Sequence, residues 1–186
     1  MITMDKQVVF LGESSLMSEL QISQKEALEL FISSADRLEM AVTGLSDQAL
    51  DFPSALDEWT IRQIVCHLAS DGDAWSMPFQ TAIATPGATI QFGGFPGNEA
   101  WADVLVFDER PVDTAVMLIK SHRRLISELA EHFPDAWEQY VTFNVSQGQE
   151  PQKVSAGQII RMLGEHLAEH LEHIEAIKQQ YMNSEG

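Results

Sequence analysis

The chain has 186 residues, of which 45% are hydrophobic, and a formal net charge of −17 at pH 7. This length predicts one domain with a sizeable core, and the 28 acidic against 11 basic side chains disfavour binding to nucleic acid or anionic membranes. One cysteine excludes a disulfide framework. No secretory signal or membrane span is recognisable, so we expect a cytoplasmic protein.

The N-terminal residues 1–21 show no clean periodicity, and we assign them to a tail or added segment before a domain over residues 22–183. The first predicted helix begins at Ser23 and Glu26, which form a capping box, a pair whose side chains satisfy each other's backbone N–H groups. Apolar residues then keep helical spacing as far as Gly44, a residue type that often ends helices.

A second capping box, Thr60 and Gln63, opens the second predicted helix. Its apolar residues recur at helical spacing, and His67 lies at the edge of the face they form. We expect that face to be buried, and it comprises Ile61, Ile64, Val65, Leu68, Trp75 and Phe79.

A long connection follows, marked by Pro86 and a glycine-rich cluster at residues 93–97. Its aromatic and aliphatic residues make it too apolar for a solvated linker, so we expect it to pack across one end of the domain, with Trp101 shaping a pocket. The third predicted helix begins near Pro111 and ends near Phe133.

Residues 134–154 are irregular, and no sheet is predicted there. A third box, Ser155 and Gln158, opens the last helix, which ends near Tyr181. Four amphipathic helices of about 20 residues with long connections predict an all-α four-helix bundle.

Two histidines of the last helix are candidate metal ligands. His166 and His170 are four residues apart, which places them on one helix face, as in H-x-x-x-H zinc helices. They also interrupt an apolar stripe, so each imidazole needs a partner in the core. The alternative is that both are hydrogen-bonded core residues without a metal. The stripe comprises Ile159, Leu163, Ile174 and Ile177.

A metal site needs a third ligand from elsewhere in the chain. His67 is the best candidate, since it borders a strongly apolar helix face, and His122 is its rival. His132 and His173 are expected to face solvent or to support the ligands indirectly. Three histidines leave one coordination position open, which suits activation of water or of a thiol.

Other chemistry is poorly represented in the sequence. Glu-x-x-His, His-Glu-x-x-His, Gly-x-Ser-x-Gly and the Walker A pattern are all absent. We interpret Cys66 as a small buried residue. Glu169, next to the histidine pair, is a weak candidate for orienting an imidazole or handling a proton.

Two segments in the right order resemble the DinB-like superfamily of metal-binding four-helix bundles, which includes the bacillithiol S-transferases. Residues 59–69 read W-T-I-R-Q-I-V-C-H-L-A, and residues 166–174 read H-L-A-E-H-L-E-H-I. They are similar to the family's W-[ST]-x-x-[EQ]-[IV]-x-x-H-L-A and H-x-x-x-H-L-x-Q-I segments. The resemblance assigns the family's metal triad to His67, His166 and His170.

The chain departs from the family pattern at two positions. Ser70 stands where the family often has an acid directly after H-L-A, and Asp71 follows one residue later. His173 stands in place of the usual glutamine, which leaves open a pairing of His170 with His173. Neither change removes a triad residue.

The resemblance implies a divalent metal, nickel or zinc, often in a homodimer, and a small-molecule substrate such as a low-molecular-weight thiol. Family members include thiol S-transferases, maleylpyruvate isomerases and proteins labelled metal-dependent hydrolases. The sequence therefore predicts S-transfer or hydrolysis at a histidine-bound metal, the alternative being a non-catalytic metal-binding or stress-response bundle. No DNA binding is implied.

Overall fold

The computed structural model describes residues 23–53, 59–91, 95–144 and 151–184. The N-terminal segment assigned to a tail lies outside these residues, so its role and the domain boundaries stay predictions. Within the described residues the helices are α1 (Gln24–Val42), α2 (Asp47–Leu50), α3 (Ile61–Ala84), α4 (Asn98–Val104), α5 (Val112–His132) and α6 (Ala156–Ser184).

Three of the four long helices begin where their capping boxes place them. The box at Ser23 and Glu26 opens α1, and the box at Thr60 opens α3. At the start of α6, the backbone N–H of Ser155 donates to Gln158 Oε1 at 2.8 Å, and the N–H of Gln158 donates to Ser155 Oγ at 3.2 Å. The three helix starts that were predicted from capping boxes are confirmed, because each depends on contacts between residues three apart in sequence.

The four long helices form a closed ring. Helix α1 packs against α5 and α6, and α3 packs against the same two helices, so α1 and α3 lie diagonally opposite each other. The predicted four-helix bundle is confirmed. Its apolar residues form two clusters, one around Ile61 and Ile174 and the other around Phe31 and Ile159.

A small sheet, which the sequence analysis did not predict, closes one end of the bundle. Strand β2 (Tyr140–Asn144) pairs in parallel with β1 (Thr89–Gln91) and antiparallel with β3 (Gln152–Ser155). Val141 and Phe143 point into the core, and the ring of Phe143 contacts Trp75 of α3. The strands thus extend the apolar cluster around Phe31 and Ile159, in a protein that is otherwise mostly helical.

The described part of the connection between β1 and α5, residues 95–111, packs on the bundle, as its apolar residues predicted. Phe107 is buried, and Trp101 lies against the core while its indole Nε1 donates to Ser70 Oγ of α3 at 3.0 Å. Among the described residues no helix combines the length and apolar character needed to cross a bilayer.

Candidate metal centre

Three histidines meet where α3 faces α6. His67 comes from the second turn of α3, and His166 and His170 lie on successive turns of α6. Leu167 and Leu171, which follow the α6 histidines, are buried in the core and fix the rotation of the helix. The apolar stripe of α6 therefore turns both imidazoles toward α3.

The nitrogen atoms of this cluster are spaced as metal ligands would be. His166 Nε2 lies 3.4 Å from His67 Nε2 and 3.0 Å from His170 Nε2. One ligand atom from each of the three histidines lies within 4.8 Å of the others. Nitrogens bound about 2.1 Å from one ion lie roughly 3.0–3.4 Å apart at angles between 90° and tetrahedral. The two close pairs fit such an ion, and imidazole nitrogen is a donor that zinc and nickel accept.

Burial keeps all three imidazoles neutral. It is the main cause that lowers the pKa of His67 to about 3, of His166 to about 4 and of His170 to about 2. Each ring would also repel a positive charge on a neighbour, and this effect lowers the pKa of His67 and of His170 further. Neutral imidazole is the form that binds a metal, so at neutral pH the rings carry no positive charge that a metal would have to displace.

A carboxylate that the sequence analysis did not assign adjoins the cluster. Asp71 Oδ2 lies 3.3 Å from His166 Nδ1 and 3.5 Å from His67 Nε2. Burial raises the pKa of Asp71 to about 7, so its charge is costly unless a cation lies nearby. Asp71 follows His67 by four residues on α3. The same spacing identified the α6 pair, but the family pattern directed attention to position 70.

The rival and secondary histidines lie outside the cluster. His122 pairs through Nε2 with Asp73 Oδ1 at 3.2 Å. His132 and His173 are exposed, as expected, although the ring of His173 is 5.8 Å from that of His170. Within the described part of the chain, the group of potential metal ligands comprises neither His122 nor His173.

Two further residues from the sequence analysis have simple surroundings. Cys66 is buried, as predicted, and burial raises the pKa of its thiol, which leaves little reactive thiolate. Glu169 is exposed on α6. The carboxylate that contacts two of the three histidines is Asp71, and a role for Glu169 stays a prediction.

Behind the histidines, a buried arginine joins three helices. Arg123 of α5 donates to the carbonyl oxygen of Phe31, to Ser34 Oγ at 2.6 Å and to the carbonyl oxygen of Leu163 at 2.6 Å. Burial lowers its pKa to about 9, and its charge disfavours a proton on His166. Arg123 therefore ties α1 and α6 together behind the site and helps keep the nearest imidazole neutral.

A small enclosed cavity lies beside the cluster, between the two apolar clusters of the core. It has room for about one water molecule, and its polar walls come from the histidine cluster and from α5. These polar residues are Asp71, His122, Arg123 and His166.

Comparison with known proteins places these features in context. A family model described as the DinB superfamily matches residues 30–174. A Bacillus mycoides (strain KBAB4) protein named "Putative metal-dependent hydrolase" is 27% identical over 146 residues, which span 77% of this chain and 79% of that protein. YfiT from Bacillus subtilis, described as "a probable metal-dependent hydrolase with an unusual four-helix bundle topology", matches with a TM-score of 0.74 at 17% identity, over 91% of this chain and 93% of that chain. The likeness to YfiT is one of fold.

Proposed function

The chain belongs to the DinB superfamily, and we propose that it is a metal-dependent hydrolase that acts on a small molecule. One observation carries the proposal: His67, His166 and His170 direct neutral imidazole nitrogens toward one another at ligand spacing. The hydrolase name of the Bacillus mycoides relative supports the choice of reaction.

His67, His166 and His170 would hold one divalent ion, nickel or zinc, and leave a coordination position open. A bound ion of this kind supplies Lewis-acid chemistry and lowers the pKa of water toward neutrality. The chain contributes three neutral donors, and the carboxyl of Asp71 lies beside them. Trp59 packs edge-on against His67, with ring centroids 4.8 Å apart, and limits the motion of that ring.

The metal can be tested directly. Protein purified without chelators or a histidine tag should contain near one equivalent of nickel or zinc by elemental analysis. His67→Ala and His170→Ala should lose it, because each removes one of three donors. The matched control is His173→Ala, which removes an exposed imidazole from the same helix. A metal-free wild type that also fails to take up added zinc or nickel would favour histidines that only hydrogen-bond within the core.

The reaction needs a separate assay. We expect metal-loaded protein to hydrolyse members of a panel of small esters, amides and phosphoesters, with the rate lost in His170→Ala and kept in His173→Ala. A parallel panel of low-molecular-weight thiols with electrophiles tests the S-transfer that the sequence analysis also predicted. Transfer without hydrolysis would identify an S-transferase. Rates equal to the metal-free control in both panels would support a non-catalytic binding protein. The homodimer and the cytoplasmic location stay predictions.

A further inference from the structure

The two ring nitrogens of His166 have different surroundings. Nε2 faces the Nε2 atoms of His67 and His170, at 3.4 and 3.0 Å. Nδ1 faces Asp71 Oδ2, at 3.3 Å. Nε2 is therefore the nitrogen offered to a metal, and a nitrogen that binds a metal carries no proton. In a neutral ring the proton must then be on Nδ1, the nitrogen that lies 3.3 Å from Asp71 Oδ2.

We propose that Asp71 is a positioning residue of this centre: its Oδ2 accepts the Nδ1–H of His166 and holds the ring in the tautomer that presents Nε2 to a divalent metal. This inference rests on the proposed metal-dependent function. A carboxylate on the outer nitrogen of a metal-binding histidine fixes the ring orientation and makes the ligating nitrogen more basic. A mixture of tautomers would leave part of the population unable to bind.

The second candidate ligand on α6, His170, lacks such a partner within the part of the chain that the structure describes. His170 Nδ1 is buried and has no hydrogen-bond partner among the described residues. Of the two α6 ligands, His166 is thus the one whose outer nitrogen meets a carboxylate. His166 is also central to the cluster, since both close nitrogen pairs include its Nε2. An error in its orientation would disturb both contacts at once.

Cobalt(II) binding separates this role from a structural one. Cobalt(II) chloride is titrated into metal-free protein, and the visible d–d absorption gives both the dissociation constant and the geometry around the ion. The variants are Asp71→Ala, which removes the acceptor, and Asp71→Asn, which keeps an amide oxygen. Asp73→Asn is the control, because it removes one negative charge from the same helix at a carboxylate that is 68% exposed. Circular dichroism of each metal-free variant checks its fold.

We expect Asp71→Ala to weaken cobalt binding about 10- to 100-fold. Asp71→Asn should lie between Asp71→Ala and wild type, because the amide is a weaker acceptor than a carboxylate, and Asp73→Asn should change binding less than about 3-fold. The shape of the absorption bands should be the same in all proteins, since the three ligands are unchanged. If Asp71→Ala does not fold, the cobalt dissociation constants of Asp71→Asn and Asp73→Asn are compared instead, and weaker binding by Asp71→Asn supports the proposal.

Two results would overturn the proposal. Equal affinities of the Asp71 variants and of Asp73→Asn would show that the carboxylate does not position His166. Altered absorption bands in Asp71→Asn would show that Asp71 is itself a ligand. A wild-type protein that binds no cobalt at all would instead contradict the metal centre itself, and with it the proposed function. Failure of the two proposals can therefore be told apart.

Discussion

The histidine cluster predicts a steep dependence of stability on pH in the metal-free protein. The pKa values of His67, His166 and His170 in the folded protein are about 3, 4 and 2, against an ordinary value of 6.5. Between pH 5 and pH 6 all three rings are then neutral in the folded protein and largely protonated in the unfolded chain. Their stabilising contribution is complete above pH 6.5 and is lost as the pH falls, because unfolding takes up about three protons.

Asp71 acts in the opposite direction. Burial raises its pKa from 3.8 to about 7, so unfolding releases about one proton from this carboxyl in the same window. Its contribution is complete below pH 3.8 and is lost as the pH rises through about 7. The net uptake on unfolding is therefore about two protons. At about 1.4 kcal/mol per proton and pH unit, the free energy of unfolding should fall by about 3 kcal/mol from pH 6 to pH 5.

Urea unfolding of chelator-treated protein, followed by circular dichroism at constant ionic strength, measures this slope. His170→Ala removes one of the three histidine contributions, so its slope should be about half that of wild type. His173→Ala, whose imidazole is exposed, should keep the wild-type slope. A free energy of unfolding that is constant between pH 5 and pH 6, or an unchanged slope in His170→Ala, would refute the inference that burial keeps these rings neutral.

Two further predictions concern packing and charge away from the cluster. A Cβ at Gly157 would lie 2.2 Å from Nε1 of the buried Trp137. Gly157→Ala should therefore lower the free energy of unfolding by about 3 kcal/mol, measured by urea unfolding at pH 7. A loss below about 0.5 kcal/mol would contradict this prediction. Arg62 binds Asp51 through two nitrogens, at 2.6 and 3.0 Å, and Asp47 at 2.7 Å. Arg62→Lys cannot reproduce this fork and should cost about 2 kcal/mol in the same assay, whereas an unchanged urea midpoint would show that the ion pairs contribute little.

Much of the helical framework could be read from the sequence, because its signals are local. A capping box joins residues three apart, and an apolar stripe needs only the helical repeat. The stripe of α6 was predicted through Ile159 and Ile174, and both are fully buried. The short helix α2 begins by the same local rule, since the Ser46 side chain accepts from the backbone N–H of Ala49.

The sheet could not be predicted in this way. Its strands have only three to five residues, and β1 pairs with a segment about fifty residues later. Such strands are fixed by contacts distant in sequence, here the packing of Phe143 on Trp75 of α3. Short strands of this kind carry too few alternating positions to produce a clear pattern.

By itself, the sequence determined the four helices and the inward direction of the α6 histidines. It also predicted His67 as their partner, from its place beside an apolar helix face and from the family resemblance. Only the tertiary structure decided that the Nε2 atoms lie 3.0–3.4 Å apart in the two close pairs, and that Asp71 lies beside Nδ1 of His166. The physical reason is that helical periodicity fixes the face on which a side chain lies, whereas the distance between two faces depends on how the core packs between α3 and α6.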